Sequence, residues 1–212
     1  MIQFLKKNTW NFLNQVSLGG SVQLYLSGAL KDYGWFESFR LKQSIDAKGN
    51  PLPWYTYPFI SFLEPRLKPS FEVFEYGSGN STRWYAGRIR HITAVEHDSD
   101  WIKQIKPKLP KNAELIEKPL GDSYIQSVKD GHYQIVIVDG RNRVKCACFA
   151  ADFLTEDGVI ILDNSERSWY LNAKKYLDQK GFRRLDFVGM TPIVSIETCT
   201  SVFYRDGNCL GI

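Results

Sequence analysis

The sequence predicts an α/β fold: a doubly wound, mostly parallel seven-stranded sheet with an antiparallel last strand, preceded by an N-terminal helical segment. Three observations carry that expectation. From residue 70 onward, strand-like runs begin about every 20 to 25 residues with helix-length segments between them, the pattern of βαβ units. Two of the runs, IVIV at 135–138 and VIIL at 159–162, are uninterrupted aliphatic stretches that suit strands buried on both faces. The last two runs, 182–188 and 198–205, are joined by a connection too short for a crossover helix, so they must pair antiparallel.

Taken in order, residues 1–30 read as helical. Phe4, Leu5, Phe12, Leu13 and Val16 return at near-helical spacing, and Gly19-Gly20 punctuates before 22–30. With Lys6 and Lys7, this segment has two readings, a membrane-surface helix or a cap on its own domain, and the cap is the expectation. A mixed stretch, 34–53, ends in the turn signal Gly49-Asn50-Pro51. Trp54, Tyr55, Tyr57 and Phe59 then crowd between prolines, either lining a substrate pocket or forming the seam by which the N-terminal part docks; the seam is expected, with 60–63 continuing as helix. These readings divide the chain into an N-terminal helical and aromatic cap at 1–69 and a core domain at 70–212.

Within the core domain, parallel strands are predicted at 71–76, 91–96, 113–117, 133–139 and 158–163. Val144, Ala147, Cys148 and Ala151 form one stripe of a helix whose other side carries Phe149, Ala150 and Phe153, so that helix is largely buried. Trp169, Ala173, Tyr176 and Leu177 recur at helical spacing after the fifth strand, and Gly181 supplies the stop.

Composition narrows the function classes. A length of 212 residues suits one sizeable core. No stretch approaches the roughly 18 apolar residues of a membrane span, and a secretory leader pattern is missing, so a cytoplasmic protein is expected. The balance of 27 basic against 23 acidic residues is mild, and the lysines between 103 and 118 read as a solvated face rather than a nucleic-acid track. The four cysteines, 146, 148, 199 and 209, lack zinc spacing and read as reduced thiols.

In an open α/β sheet the ligand site lies at the carboxyl ends of the strands. Here those ends are acidic: Glu75, Glu96, Asp139 and Asp163 close four of the runs, and Asp122 follows the remaining one. The stretch FEVFEYGSGNST at 71–82 runs from a strand through a Gly77-x-Gly79 turn to cap-forming Asn80, Ser81 and Thr82. A dinucleotide loop would look similar, but its third glycine would fall at Thr82, and Glu75 would stand where a pyrophosphate goes. Negative charge there suits a cationic ligand.

Residues 75–81, Glu-Tyr-Gly-Ser-Gly-Asn-Ser, resemble motif I of the class I S-adenosylmethionine (SAM) methyltransferases, acidic-x-Gly-x-Gly-x-Gly, with Ser81 in place of the last glycine. The resemblance covers about residues 70–206. It implies a sheet whose last strand inserts antiparallel, SAM as cofactor, and a cofactor site of Glu75, Gly77, Ser78, Gly79, Asn80, Ser81, Glu96, His97, Asp122 and Asp139. Glu96, 21 residues after Glu75, would be the ribose ligand, His97 would flank the adenine and Asp122 would take its amino group. Asp139, Asp163 and Asn164 also match the cation ligands of the metal-dependent catechol-type and caffeoyl-CoA-type O-methyltransferases, and three hard oxygen donors suit Mg²⁺ or Ca²⁺, with Mg²⁺ the simplest candidate. The predicted catalytic residues are thus Asp139, Asp163 and Arg141, with Asp139, Asp163 and Asn164 converging on one cation. Mg²⁺ and Arg141 are rivals for that position. Helix capping is an alternative for Asp139 and Asn164. Arg141 and Arg143 have two readings, a clamp on an anionic substrate or ion pairs with Glu166 or Asp152.

No Asn/Asp-Pro-Pro-aromatic or Pro-Cys motif is present, so the expected acceptor is a hydroxyl of a small molecule or saccharide rather than a base. An NAD-binding Rossmann oxidoreductase and a non-catalytic methyltransferase-like binding protein are the alternatives.

Overall fold

The computed structural model describes residues 2–212, with side chains from Lys7 onward, so the predicted contributions of Phe4, Leu5 and Lys6 lie outside the described side chains. Seven strands, β1 Glu72–Tyr76, β2 His91–Glu96, β3 Ala113–Glu117, β4 Tyr133–Val138, β5 Leu154–Asp163, β6 Arg183–Met190 and β7 Glu197–Tyr204, form one sheet in the order β3-β2-β1-β4-β5-β7-β6. The first five are mutually parallel, and β7 inserts antiparallel between β5 and β6.

Ten helices accompany the sheet among the described residues: α1 Ile2–Gln15, α2 Gly19–Leu26, α3 Ala29–Asp32, α4 Trp35–Leu41, α5 Tyr57–Leu63, α6 Asn80–Ala86, α7 Ser99–Ile105, α8 Asp122–Ile125, α9 Arg143–Ala150 and α10 Leu171–Gln179. The N-terminal segment breaks just ahead of Gly19-Gly20, in the turn at 16–18 where Ser17 has φ +59°; the glycines themselves start α2, and a second break follows at Ser27 and Gly28. Gly181, at φ +82°, follows α10 in the left-handed conformation that ends helices. Trp169 is no part of the buried stripe of α10: it precedes the helix and is 66% exposed.

The aliphatic runs of β4 and β5 are explained by two cores, one on each face of the sheet. Val136, Val138, Ile160 and Leu162 point to a core with Ala147 and Ala150 of α9 and Ala173 and Leu177 of α10. Their neighbours Ile135, Ile137, Val159 and Ile161 point the other way, to Phe59 and Leu63 of α5 and Trp84 and Tyr85 of α6. Strand residues alternate between faces, so a strand covered on both sides has no polar position to offer. The aromatic run is the expected seam: Tyr55, Tyr57 and Phe59 are buried in the second core, whereas Trp54 stays exposed.

The same alternation sorts the acidic strand ends. Glu75 follows Val73, Asp139 follows Ile137 and Asp163 follows Ile161 at intervals of two, so all three carboxylates belong to the face of the second core. Glu96 joins them, because Glu75 pairs with Ala94 in the register.

Candidate functional site

A cleft of about 260 Å³ opens where the loops after β1, β2 and β4 meet, and its lining includes Glu75, Gly77, Ser78, Ser81, Glu96, His97, Asp139, Gly140, Arg141 and Arg143. Two loops make its floor by touching backbone to backbone. Gly77 has φ +101°, and a Cβ there would sit 3.3 Å from the backbone of Gly140. A Cβ at Gly140 would fall 2.1 Å from the Tyr124 hydroxyl and 2.9 Å from the Gly77 nitrogen, so no side chain fits at this junction. Gly79 needs no unusual backbone; its place for a Cβ is open, 3.8 Å from Trp101, so the chain there leaves room for a ligand.

Glu75 is fully enclosed and organises the first loop. Ser81 Oγ donates to one carboxylate oxygen, Thr82 Oγ1 donates to the other at 2.5 Å, and Thr82 Oγ1 accepts the Gly79 N–H at 2.9 Å. Ser81 is therefore more than a small stand-in for glycine, since its hydroxyl holds the acid. Burial pushes the Glu75 carboxyl up to about 8, against the pull of these two hydroxyls.

Glu96 Oε1 accepts the backbone N–H groups of His97 and Asp98 at 2.7 and 3.1 Å, and His97 Nδ1 stands 2.7 Å away. Its Oε2 keeps a long contact of 3.4 Å with Ser78 Oγ. Trp101 donates from its indole to the Ser78 carbonyl at 2.8 Å and so braces the glycine loop, a role that no local sequence pattern signalled.

Asp139, Asp163 and Asn164 do converge, around a side chain of the protein. Arg143 donates to Asp139 Oδ1 at 2.8 Å, to the Asp139 carbonyl at 2.7 Å, to the Asp163 carbonyl at 2.6 Å and to Asn164 Oδ1 at 3.3 Å. The Asp163 carboxylate takes the Thr200 hydroxyl at 2.7 Å. Burial raises both carboxyls above the ordinary range. Repulsion from Asp139 raises Asp163 further and Thr200 lowers it, whereas Arg143 pulls Asp139 back.

This arrangement corrects two expectations. The internal cation is Arg143 rather than Arg141, and the donors do not fit Mg²⁺, because a guanidinium only 10% exposed fills the position among them. Among the described residues no group of three or more His, Cys, Asp or Glu side chains is arranged to hold a metal. Neither arginine pairs with Glu166 or Asp152, which meet Arg167 and Lys180 instead. Capping is not seen either. The Asp139 side chain meets Arg143, and Asn164 sits in a left-handed turn at φ +51°, seven residues ahead of α10.

No protein-family model and no curated protein sequence matches the chain. Solved structures do. A precorrin-6y C5,15-methyltransferase from Geobacter metallireducens superposes with a TM-score of 0.57 over 70% of this chain and 87% of its own, at 14% identity. An rRNA methylase from Streptococcus thermophilus gives 0.54 over 70% and 97%, at 16% identity. A Streptococcus mutans protein, called a methyltransferase, in complex with SAH gives 0.51 over 68% and 94%, at 14% identity. The chain has the class I methyltransferase fold.

Within that fold, not every predicted residue reaches the cleft. Glu75, Gly77, Ser78, Ser81, Glu96, His97, Asp139 and Arg141 line it; Gly79, Asn80, Asp122, Asp163 and Asn164 do not. Asn80 Nδ2 instead donates to the Ser44 carbonyl at 2.8 Å and ties the glycine loop to the N-terminal segment. Asp122 begins the short α8 after Gly121. Tyr55, outside the predicted set, does not line the cleft but lies fully buried on the carboxylate-bearing face, and burial pushes its pKa far up, with Tyr85, Glu75, Asp139 and Asp163 adding to the rise.

Proposed function

We propose that the chain is a SAM-dependent methyltransferase that methylates a hydroxyl of a small molecule or saccharide. The observation that carries this reading is the row of carboxyl groups at the strand ends that line the cleft. Glu75, Glu96 and Asp139 face it from three adjacent strand ends, and the glycine loops leave backbone open beside them. Carboxyl groups at these positions suit a ligand with an ammonium, a sulfonium and ribose hydroxyls better than a pyrophosphate. Bound SAM supplies an electrophilic methyl on sulfur. Glu96 accepts ribose hydroxyls, since a carboxylate can take two donors at once. His97 flanks the base. Glu75 keeps the glycine loop in shape through Ser81 and Thr82, and a cation bound nearby would draw off the proton that burial holds on its carboxyl.

Methyl transfer to an alcohol breaks the carbon–sulfur bond, forms a carbon–oxygen bond and releases the hydroxyl proton. Asp139, at the cleft and with its affinity for a proton raised by burial, takes that proton while Arg143 fixes its orientation. Incubation with methyl-labelled SAM and a panel of phenols, hydroxy acids, sugars, amines and nucleic acid tests the reaction. Label on oxygen acceptors is expected, abolished by Asp139→Asn. Label only on nitrogen acceptors contradicts the hydroxyl assignment, and no label anywhere favours a binding protein.

A further inference from the structure

Gly140, Arg141 and Arg143 form a wall with two sides. One side faces the carboxylate-lined cleft; the other borders a second cavity of about 400 Å³. Its lining adds Lys145, Arg167 and Tyr170 and includes no carboxylate side chain. Arg143 is committed to Asp139, but Arg141 and Lys145 make no ion pair among the described residues, and Arg167 stands 3.6 Å from a single oxygen of Glu166. Two cationic side chains without an ion pair, Arg141 and Lys145, and one loosely paired, Arg167, thus surround one hollow beside the cleft. Like charges gathered at one place with so little compensation are relieved by an anion.

We propose that this second cavity seats the methyl acceptor and that the acceptor is a small anion carrying a phosphate or carboxylate beside the hydroxyl. The proposal rests on the methyltransferase reading and names its substrate class. Guanidinium groups match the planar or tetrahedral oxygens of either anion, which explains arginines at two of the three positions. Tyr170 supplies a flat apolar wall for the uncharged part of the molecule, and Trp169 beside it is 66% exposed. The shared wall sets the distance: a molecule held by Arg141 lies next to Gly140 and Asp139, where the methyl is delivered. A bounded hollow fits a small molecule better than a nucleic-acid backbone, which needs a continuous basic track. The other run of lysines, 103–118, belongs to α7 and the β3 edge, at the far end of the sheet from β5.

Calorimetry on the full chain, with and without SAH, tests this with phenyl phosphate and benzoate as anionic probes, benzyl alcohol as neutral control and a single-stranded RNA oligonucleotide as the macromolecular alternative. Binding of at least one anionic probe in preference to benzyl alcohol is expected, and comparing the two probes distinguishes phosphate from carboxylate. The double variant Lys145→Gln/Arg167→Gln should weaken the anion roughly tenfold or more, since two charge-assisted contacts are lost, and leave SAH affinity unchanged. Both side chains are at the surface, so the variant keeps the fold. Equal binding of benzyl alcohol, no binding of either anion, an unaffected double variant, or tighter binding of RNA than of both probes overturns the proposal. Anion binding without any SAH binding overturns the methyltransferase reading instead.

Discussion

Ser81 and Thr82 both donate to the buried carboxylate of Glu75, and this small triangle shapes the loop that the proposed cofactor would touch. It also couples the fold to pH. The folded chain keeps a proton on Glu75 up to about 8, whereas an unfolded chain releases it near the ordinary value of 4.5. Between those limits the native state holds more protons than the unfolded one, so stability falls as pH rises through this window and the contribution levels off above about 8. Asp163 acts in the same direction. Thermal melts across this range are expected to show the wild type losing stability relative to Glu75→Gln, which cannot ionise there. Parallel profiles for the two proteins would contradict the assignment of that proton to Glu75.

At the scale of elements, the decisive unit is the end of β4 running into α9. Asp139 and Arg143 are four residues apart, and Arg143 folds back from the first position of α9 to bridge the ends of β4 and β5. Arg143→Met leaves Asp139 and Asp163 facing each other without a cation and is expected to cost about 3–5 kcal/mol of stability, the usual consequence of breaking a largely buried pair. Treatment of the wild type with EDTA or Mg²⁺ should leave its melting temperature and any methyl transfer unchanged. A Mg²⁺-dependent rise in both would restore the metal reading and contradict the role given to Arg143.

Much of this element was legible in the sequence. Acidic residues at the ends of hydrophobic runs pointed to Glu75, Glu96, Asp139 and Asp163, and alternation alone would have placed three of them on one face once register was known. Register is what a strand does not announce. The choice between Arg141 and Arg143 depended on the left-handed turn at Asn142, φ +53°, which sets where each side chain leaves the loop. The role of Asp122 is implied by the resemblance alone, and at the start of the short α8 it stands outside the cleft lining. Tyr55 and Thr200 stand far from the motifs in sequence: the docking of the N-terminal seam brings Tyr55 to the carboxylates, and the antiparallel register of β7 against β5 sets Thr200 opposite Asp163. Thr56 N–H donates to Thr200 Oγ1 at 3.2 Å, and Thr200 donates onward to Asp163.

On the scale of the whole molecule, the N-terminal segment packs on the sheet through Tyr55, Tyr57 and Phe59, which fill the second core, and through Thr56, which bonds to β6 and β7. No helix among the described residues is long and apolar enough to cross a membrane. The two faces of the sheet divide the labour: α8, α9 and α10 cover one core, while the other face collects the carboxylates at its upper edge. The central claim is that these carboxylates make a site for a cationic adenosyl ligand rather than for a dinucleotide. Calorimetric titration of the full chain with SAH, and separately with NAD, tests it most directly. One equivalent of SAH binding, weakened at least tenfold by Glu96→Ala, with no heat from NAD, is the predicted result; binding of NAD without SAH would contradict the account and identify an oxidoreductase on the same fold.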